Sequence, residues 1–294
     1  MKILNIGSMN LDYVYQVDHI VQPGETISTS GMNVFLGGKG INQSIAIAKA
    51  GAEVYHGGLI GEDGQAFIEA CHEYGVHDEF IRQIPGKTGH TIIQIDKAAQ
   101  NCILLYGGAN QMLEESYIDE VLSHFQEGDI LLLQNEVNNI AYIVEKAFEK
   151  GMEIALNPSP FNEKLDDVDL EKINIFLLNE IEGGQITGKV DPEEILSEMC
   201  RRFPKAQIVL TLGKDGAIYA QQEKKYHQPI FSVKAVDTTA AGDTFTGYFL
   251  AGLVEGMEIE DILRMSAKAS SIAVTREGAV PSIPYRREVE EALW

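Results

Sequence analysis

Apolar residues in this chain gather in short runs, and the runs alternate with segments whose apolar positions recur every three or four residues. "KILNIG" and "EVYHGGLI" predict strands, while "GINQSIAIAKAGA" and "GQAFIEACHEYGV" predict helices, the first ending at Gly51. "DILLLQ", "EIALNP", "INIFLLN" and "AQIVLTLG" are apolar nearly throughout, as strands buried on both faces are. Helical patterns such as "NIAYIVEKAFEKG" and "PEEILSEMCRRFP" separate them. This alternation predicts an α/β fold with a central, mostly parallel sheet and helices on both faces. Ligands of such sheets sit beyond the carboxyl ends of the strands, where "SMN", "QNE", "NPSP", "NEIE" and "TLGKDG" fall.

Two segments, residues 11–35 and 89–107, break the rhythm with a period near two and several turn residues. Together they predict a small β-sheet projecting from the main one near its ligand edge. Such a sheet would act as a lid over a site or as a contact between two copies; a plain surface meander explains the pattern equally well. No internal repeat or long linker interrupts the chain, so residues 1–294 are expected to form a single domain.

Charge narrows the partners. With 44 acidic against 23 basic residues the formal net charge is −21, a field that repels nucleic acid and anionic membranes. A phosphate ligand stays open, provided backbone amides and a few local cations hold it. Cys71, Cys102 and Cys200 show no CxxC spacing and leave an odd count, which suits a reducing compartment and argues against zinc or a disulfide framework. No apolar stretch approaches transmembrane length, and "MKILNIGSMNLD" lacks a signal peptide's apolar run, so a cytoplasmic location is expected.

The chemistry concentrates in "VDTTAAGDTF". "PIFSVKAV" before it is strand-like, and "DTFTGYFLAGLVEG" after it is helical with Gly256 as its end. Ala240, Ala241, Gly242 and Asp243 then form the opening turn, whose amides lack intrahelical partners and sit at the positive end of the helix dipole. That is an anion site with small residues clearing the approach. Asp243 in the same turn either stabilises the helix start or takes a proton from a hydroxyl beside the anion; both readings stand on the residues alone. "FLGGKGINQ" predicts a second loop-to-helix turn, with Gly37, Gly38 and Gly40 allowing close approach and Lys39 and Asn42 offering donors. It is no nucleotide P-loop, since glycine follows Lys39 where a hydroxyl residue is needed. "GGQITGKV" matches GxxxxGK over residues 183–189, but Val190 takes the hydroxyl position and the run reads as a helix end. His72 and His77, five apart, do not share a helical face, and "IGSMNLD" supplies no GxGxxG for a dinucleotide.

"GSMNLD", "GGKGINQ", "QNE", "NPSP", "NEIE", "TLGKDG", "VDTTAAGDTFTG" and "VTREGAVPSIP" resemble, in this order, the motifs of the ribokinase-like (pfkB) carbohydrate kinases. The resemblance spans about residues 5–286, and the GGKG–N and DT-AAGD turns are its most specific parts. It implies ATP-dependent transfer of a phosphoryl group to the primary 5-hydroxyl of D-ribose or a close relative. Kinases for fructose, deoxyribose or pseudouridine are the alternatives. A non-catalytic sugar-sensing regulator would be expected to have lost the AAGD turn or the NxxE motif, and both are intact.

By the same resemblance Asp243 is the general base, and the amides of Ala240, Ala241, Gly242 and Asp243 form the anion hole. Asn10, Asp12, Gly38, Lys39, Asn42 and Glu136 match sugar-binding positions. Asn179, Thr211, Gly213, Gly216 and Gly242 match ATP-binding positions, and Glu182 matches the acid that holds Mg2+ through water. Asp237, Thr239, Ala273, Arg276, Gly278 and Ser282 match a monovalent-cation site, usually K+. Ala267 stands where many relatives carry Asn or His beside the nucleotide. The two irregular segments match the family's lid, which implies a homodimer. Read as side chains alone, Glu136 could be an exposed loop acid and Arg276 half of a structural ion pair.

Overall fold

The structure, a computed structural model, describes residues 1–98 and 100–293. Positions 99 and 294, which fall within the expected lid and domain bounds, lie outside the described residues. The chain opens with β1 (Ile3–Ile6), β2 (Asn10–Gln16) and β3 (Gly31–Gly37), then helix α1 (Lys39–Lys49). β4 (Val54–Ile60), α2 (Gln65–Tyr74), β5 (His77–Gln83), β6 (Gly89–Ile95) and β7 (Asn101–Tyr106) follow. Alternation becomes regular through α3 (Glu115–Ser123), β8 (Ile130–Gln134), α4 (Ile140–Glu149), β9 (Glu153–Asn157), β10 (Ile175–Asn179), α5 (Glu180–Thr187), α6 (Pro192–Arg202) and β11 (Gln207–Thr211). A hairpin, β12 (Ala217–Gln221) and β13 (Lys224–Gln228), leads to α7 (Ala241–Glu255), α8 (Ile259–Ala273) and α9 (Arg286–Glu291).

The main sheet has the order β13-β12-β11-β10-β9-β8-β1-β4-β5, parallel except at the β12–β13 hairpin edge. Its apolar runs split by parity, because successive side chains of a strand face opposite ways. Ile3, Ile130, Leu132, Leu177 and Val209 pack with α1, α2, α7 and α8 on one face. Leu4, Leu131, Leu133, Phe176, Leu178 and Leu210 pack with α3, α4 and α6 on the other. Each such fully buried side chain contributes about 2 kcal/mol. Strand order reverses direction at β1, so the crevice between the carboxyl ends of β1 and β8 is the expected ligand position.

The second sheet has the order β3-β2-β6-β7, with β2 and β6 parallel and the outer pairs antiparallel. At its near end Asn10 lies opposite Gly37 and Gly89, and in the next row His90 lies opposite Leu11 and Tyr106. Large apolar side chains stand exposed on it, among them Val34, Phe35, Ile92, Leu104 and Leu105. One expectation fails outside this sheet: "PIFSVKAV" is irregular, not a strand. β13 already closes the sheet edge, Pro229 lacks a backbone N–H, and Ile230, Phe231, Val233 and Ala235 line a groove instead.

Candidate active site

The loop after β1 and the start of α1 touch backbone to backbone. A Cβ on Gly40 would lie 2.3 Å from the Ser8 nitrogen and 2.6 Å from the Gly7 Cα, so only glycine closes this gap. Gly38, at φ 99°, ends the loop and begins α1. Across the crevice, Glu136 accepts hydrogen bonds from the Ser8 hydroxyl and, at 3.0 Å, from the Lys39 amide. Burial pushes the Glu136 carboxyl up, against the pull of Ser8 and Lys39. Glu136 is therefore tied into the crevice and is not a free loop acid.

Asn110, from the turn after β7, accepts from the Met9 amide at 3.0 Å and donates to Asn10 Oδ1 at 2.8 Å. The Asn10 carbonyl oxygen is thus occupied, which turns its NH2 group elsewhere. Two residues along β2, Asp12 accepts from the Thr91 hydroxyl, and burial holds its carboxyl above the usual range despite that bond.

Asp243 lies in the first turn of α7, buried at 7% exposure. The preceding Ala240 has φ 58°, left-handed for a non-glycine residue, a conformation that costs about 1 kcal/mol or more. It turns the chain so that the amides of residues 241–243 open the helix. A Cβ at Gly242 would meet no protein atom within 4 Å, so the space before that turn is clear. Asp243 Oδ1 accepts from Gln43 at 2.8 Å, and Oδ2 accepts from Asn42 at 3.1 Å. Asn42 Oδ1 is itself buried with no hydrogen-bond partner among the described residues. Burial draws the Lys39 ammonium down, but the carboxylates of Asp243, Glu136 and Glu182 outweigh it and hold its pKa above the ordinary value.

Two cavities converge on this turn. One is lined by Lys39, Asn157, Asn179, Glu182, Thr211, Gly242 and Asp243. The other, about 410 Å³, is lined by Thr211, Gly213, Gly216, Phe231, Val233, Gly242, Ala267 and Val274. They share Thr211, Gly242 and Phe245. Apolar walls and open backbone suit the second to a flat heteroaromatic ring, and Ala267 contributes a methyl group to them. Asn179 and Glu182 form a capping box at the start of α5: Asn179 Oδ1 accepts from the Ile181 and Glu182 amides, and Glu182 Oε2 accepts from the Asn179 amide at 3.0 Å. Their spacing therefore has a structural use whatever else they do.

Of the six cation-site candidates, three meet at one carboxylate. Asp237 accepts from the Thr239 amide and hydroxyl, at 2.9 and 2.6 Å, and from the Gly278 amide at 2.9 Å. Partial burial pushes the Asp237 carboxyl up, but these donors outweigh it and keep it below its ordinary value. Arg276 turns its side chain to Glu288 at 2.6 Å, so the ion-pair reading of that side chain holds, while its amide donates to the Ala273 carbonyl. Ser282 is fully buried and donates to the Ala279 carbonyl.

Sequence reasoning missed Ser8, Gln43, Thr91, Asn110 and Asn157. The nearest signal was adjacency: Gln43 follows Asn42 in "GGKGINQ", and Asn157 opens "NPSP" at a strand end.

Residues 1–286 match the model of the pfkB family carbohydrate kinases. The chain is 34% identical over 297 residues to a ribokinase of Haemophilus influenzae, covering 98% of this chain and 97% of that protein. The crystal structure of ribokinase from Cryptococcus neoformans var. grubii serotype A in complex with ADP has the same fold, with TM-score 0.88, 31% identity and 99% of each chain covered. The structure of Arabidopsis thaliana ribokinase complexed with ribose and ATP aligns with TM-score 0.87 and 31% identity, over 98% of this chain and 97% of that one.

Proposed function

This chain belongs to the pfkB family of carbohydrate kinases, and we propose that it transfers the γ-phosphoryl group of ATP to the 5-hydroxyl of D-ribose, giving ribose 5-phosphate and ADP. The observation that carries this reading is the placement of Asp243: a buried carboxylate, held by two amide groups, in the helix-opening turn shared by two cavities. In the reaction Asp243 takes the hydroxyl proton, the oxygen attacks the γ-phosphorus, and the bond to the β,γ-bridging oxygen breaks to release ADP. We read the amides of Ala240, Gly242 and Asp243 as facing the charge that spreads over the transferring group, with the Ala241 amide donating to the Thr238 carbonyl at 3.3 Å. Lys39 adds a half-buried positive charge on the same side.

For the sugar, Asn10 presents its NH2 group, Asp12 and Glu136 present carboxyl oxygens, and the unpaired Asn42 Oδ1 is an acceptor waiting for a hydroxyl. A site of this kind rejects a sugar lacking the matching hydroxyl, because a stranded buried polar group costs about 1–3 kcal/mol. The Gly38 and Lys39 backbone completes the crevice. Thr211, Gly213 and Gly216 flank the apolar groove that we assign to the nucleotide.

Among the described residues no cluster of three or more His, Cys, Asp or Glu could hold a metal ion. The residues instead fit a magnesium that enters with the triphosphate and keeps its water, with buried Glu182 as a single nearby carboxylate. Magnesium neutralises charge on the phosphates. The Asp237 carboxylate and Thr239 hydroxyl, with the carbonyls of Ala273, Arg276 and Gly278, would supply the oxygen donors that suit a monovalent cation such as K+. We further read the exposed apolar face of the second sheet as a homodimer contact and the whole chain as one cytoplasmic domain. No helix among the described residues is long and apolar enough to cross a membrane.

The test is ADP release from magnesium-ATP with ribose, deoxyribose, fructose, adenosine, pseudouridine and 2-keto-3-deoxygluconate. Ribose-dependent release far above the rest is expected. Turnover with another member instead would remove ribose from the assignment, and binding without turnover of any would remove the kinase.

A further inference from the structure

Four side-chain amides run through the middle of the molecule, from β1 to the candidate base. Asn5 donates through Nδ2 to the Gly40 carbonyl at 2.7 Å and to the Ser44 hydroxyl at 2.9 Å. Gln134, at the end of β8, donates through Nε2 to Asn5 Oδ1 at 3.0 Å and to Gln43 Oε1 at 2.7 Å. Gln43 donates through Nε2 to Asp243 Oδ1 at 2.8 Å and to Asn157 Oδ1 at 3.0 Å. Asn157, at the end of β9, donates through Nδ2 to the Leu177 carbonyl at 2.8 Å.

The polarity of this chain is not free. A backbone carbonyl can only accept, so Gly40 at one end and Leu177 at the other fix which way Asn5 and Asn157 face. Asn5 therefore offers its oxygen to Gln134, which must answer with its NH2 group. Gln43 then has its oxygen engaged by Gln134 and must turn its own NH2 group to Asn157 and Asp243. Reversing any one amide would set two donors or two acceptors against each other.

We infer that Gln43, locked by Gln134, is a positioning residue for phosphoryl transfer: it fixes the plane of the Asp243 carboxylate by presenting only N–H donors to it. The inference rests on the reading of Asp243 as the base. Asn42 supports the other oxygen, so neither edge of the carboxylate can rotate toward a different partner. The arrangement has a cost that points to use. Gln134 is 1% exposed and leaves its own Oε1 buried with no partner among the described residues, a desolvation cost that an apolar side chain at this position would not itself carry. Buried polar networks of this kind hold their members in one arrangement.

The test uses Gln43→Leu, Gln134→Met and the double variant, with Asp243→Asn as control, in the full-length protein with ribose and magnesium-ATP. Gln43→Leu is expected to lower kcat about 30-fold, with KM for ribose within about 3-fold. Gln134→Met, which touches no reacting group, is expected to lower kcat about 10-fold. The double variant should be no worse than Gln43→Leu alone, since both act through one contact. Folded variants that keep kcat within 2-fold, or whose losses multiply, would overturn the inference. So would a thermal midpoint that falls while kcat stays, the signature of a purely structural network. If Gln43→Leu does not fold, kcat of Gln134→Met decides. Near-normal turnover by Asp243→Asn overturns the base itself, a separate outcome from failure of the relay.

Discussion

Asp243 shows how much a single residue's neighbours decide. Aspartates open many helices, but this one is buried and receives amide donors on both oxygens, which a mere helix-start acid does not need. Asp243→Asn should lower kcat by about 10³-fold, while calorimetry still detects sugar binding; turnover near that of the parent protein would contradict the role. A second residue carries a pH prediction. His56 is fully buried, 2.8 Å from the Ser44 hydroxyl at the far end of the amide chain, and burial lowers its pKa from 6.5 to about 4. The unfolded chain therefore binds the extra proton between these values. Stability from this group is present above pH 6.5 and is lost as pH falls through 4, up to about 3 kcal/mol. Urea titrations between pH 7 and 4 should show that slope, and His56→Gln should flatten it.

At the scale of elements, the capping box of α5 and the second sheet make separate predictions. Asn179→Ala removes the acceptor of two helix-opening amides and should lower stability by about 1 kcal/mol in chemical denaturation; an unchanged midpoint would mean that water replaces the cap at no cost. Leu104→Glu places a charge among the exposed apolar residues of β7 and should give a monomer in sedimentation velocity if that face joins two copies. The parallel strands were legible because burial on both faces leaves near-continuous apolar runs, and the turns after them were legible because small residues cluster there. "PIFSVKAV" misled because an apolar lining for a groove and an apolar strand have the same composition, and only the occupied sheet edge distinguishes them. Asn5, Gln43, Gln134 and Asn157 escaped for another reason. Each is an unremarkable amide in its own segment, and their partners lie 20 to 200 positions away, so only the packed sheet brings them together. Around Asp243, the residues of its own turn are neighbours in sequence, while Asn42 and Gln43, which hold its carboxylate, come from α1, 201 and 200 positions away.

For the whole molecule, the net charge of −21 implies self-repulsion in the compact state. Raising ionic strength from about 10 to 150 mM, which contracts the Debye length to about 8 Å, should raise the thermal midpoint. Tetramethylammonium chloride is the appropriate salt, being too bulky for the candidate cation site; a flat response would mean that the charges are already spaced beyond mutual influence. The attachment of the second sheet has a mechanical consequence. Asn10, Gly37 and Gly89 lie in one line at the near end of three of its strands, and Tyr106 lies one step further out, opposite His90, so the sheet is a plate fastened along a single margin. A change in its pitch would be taken up at that fulcrum, where two of the three residues are glycines. Asn10 lies on the fulcrum and Asp12 two residues out. A given tilt therefore moves Asp12 little and Gln16, the far end of the same strand, more.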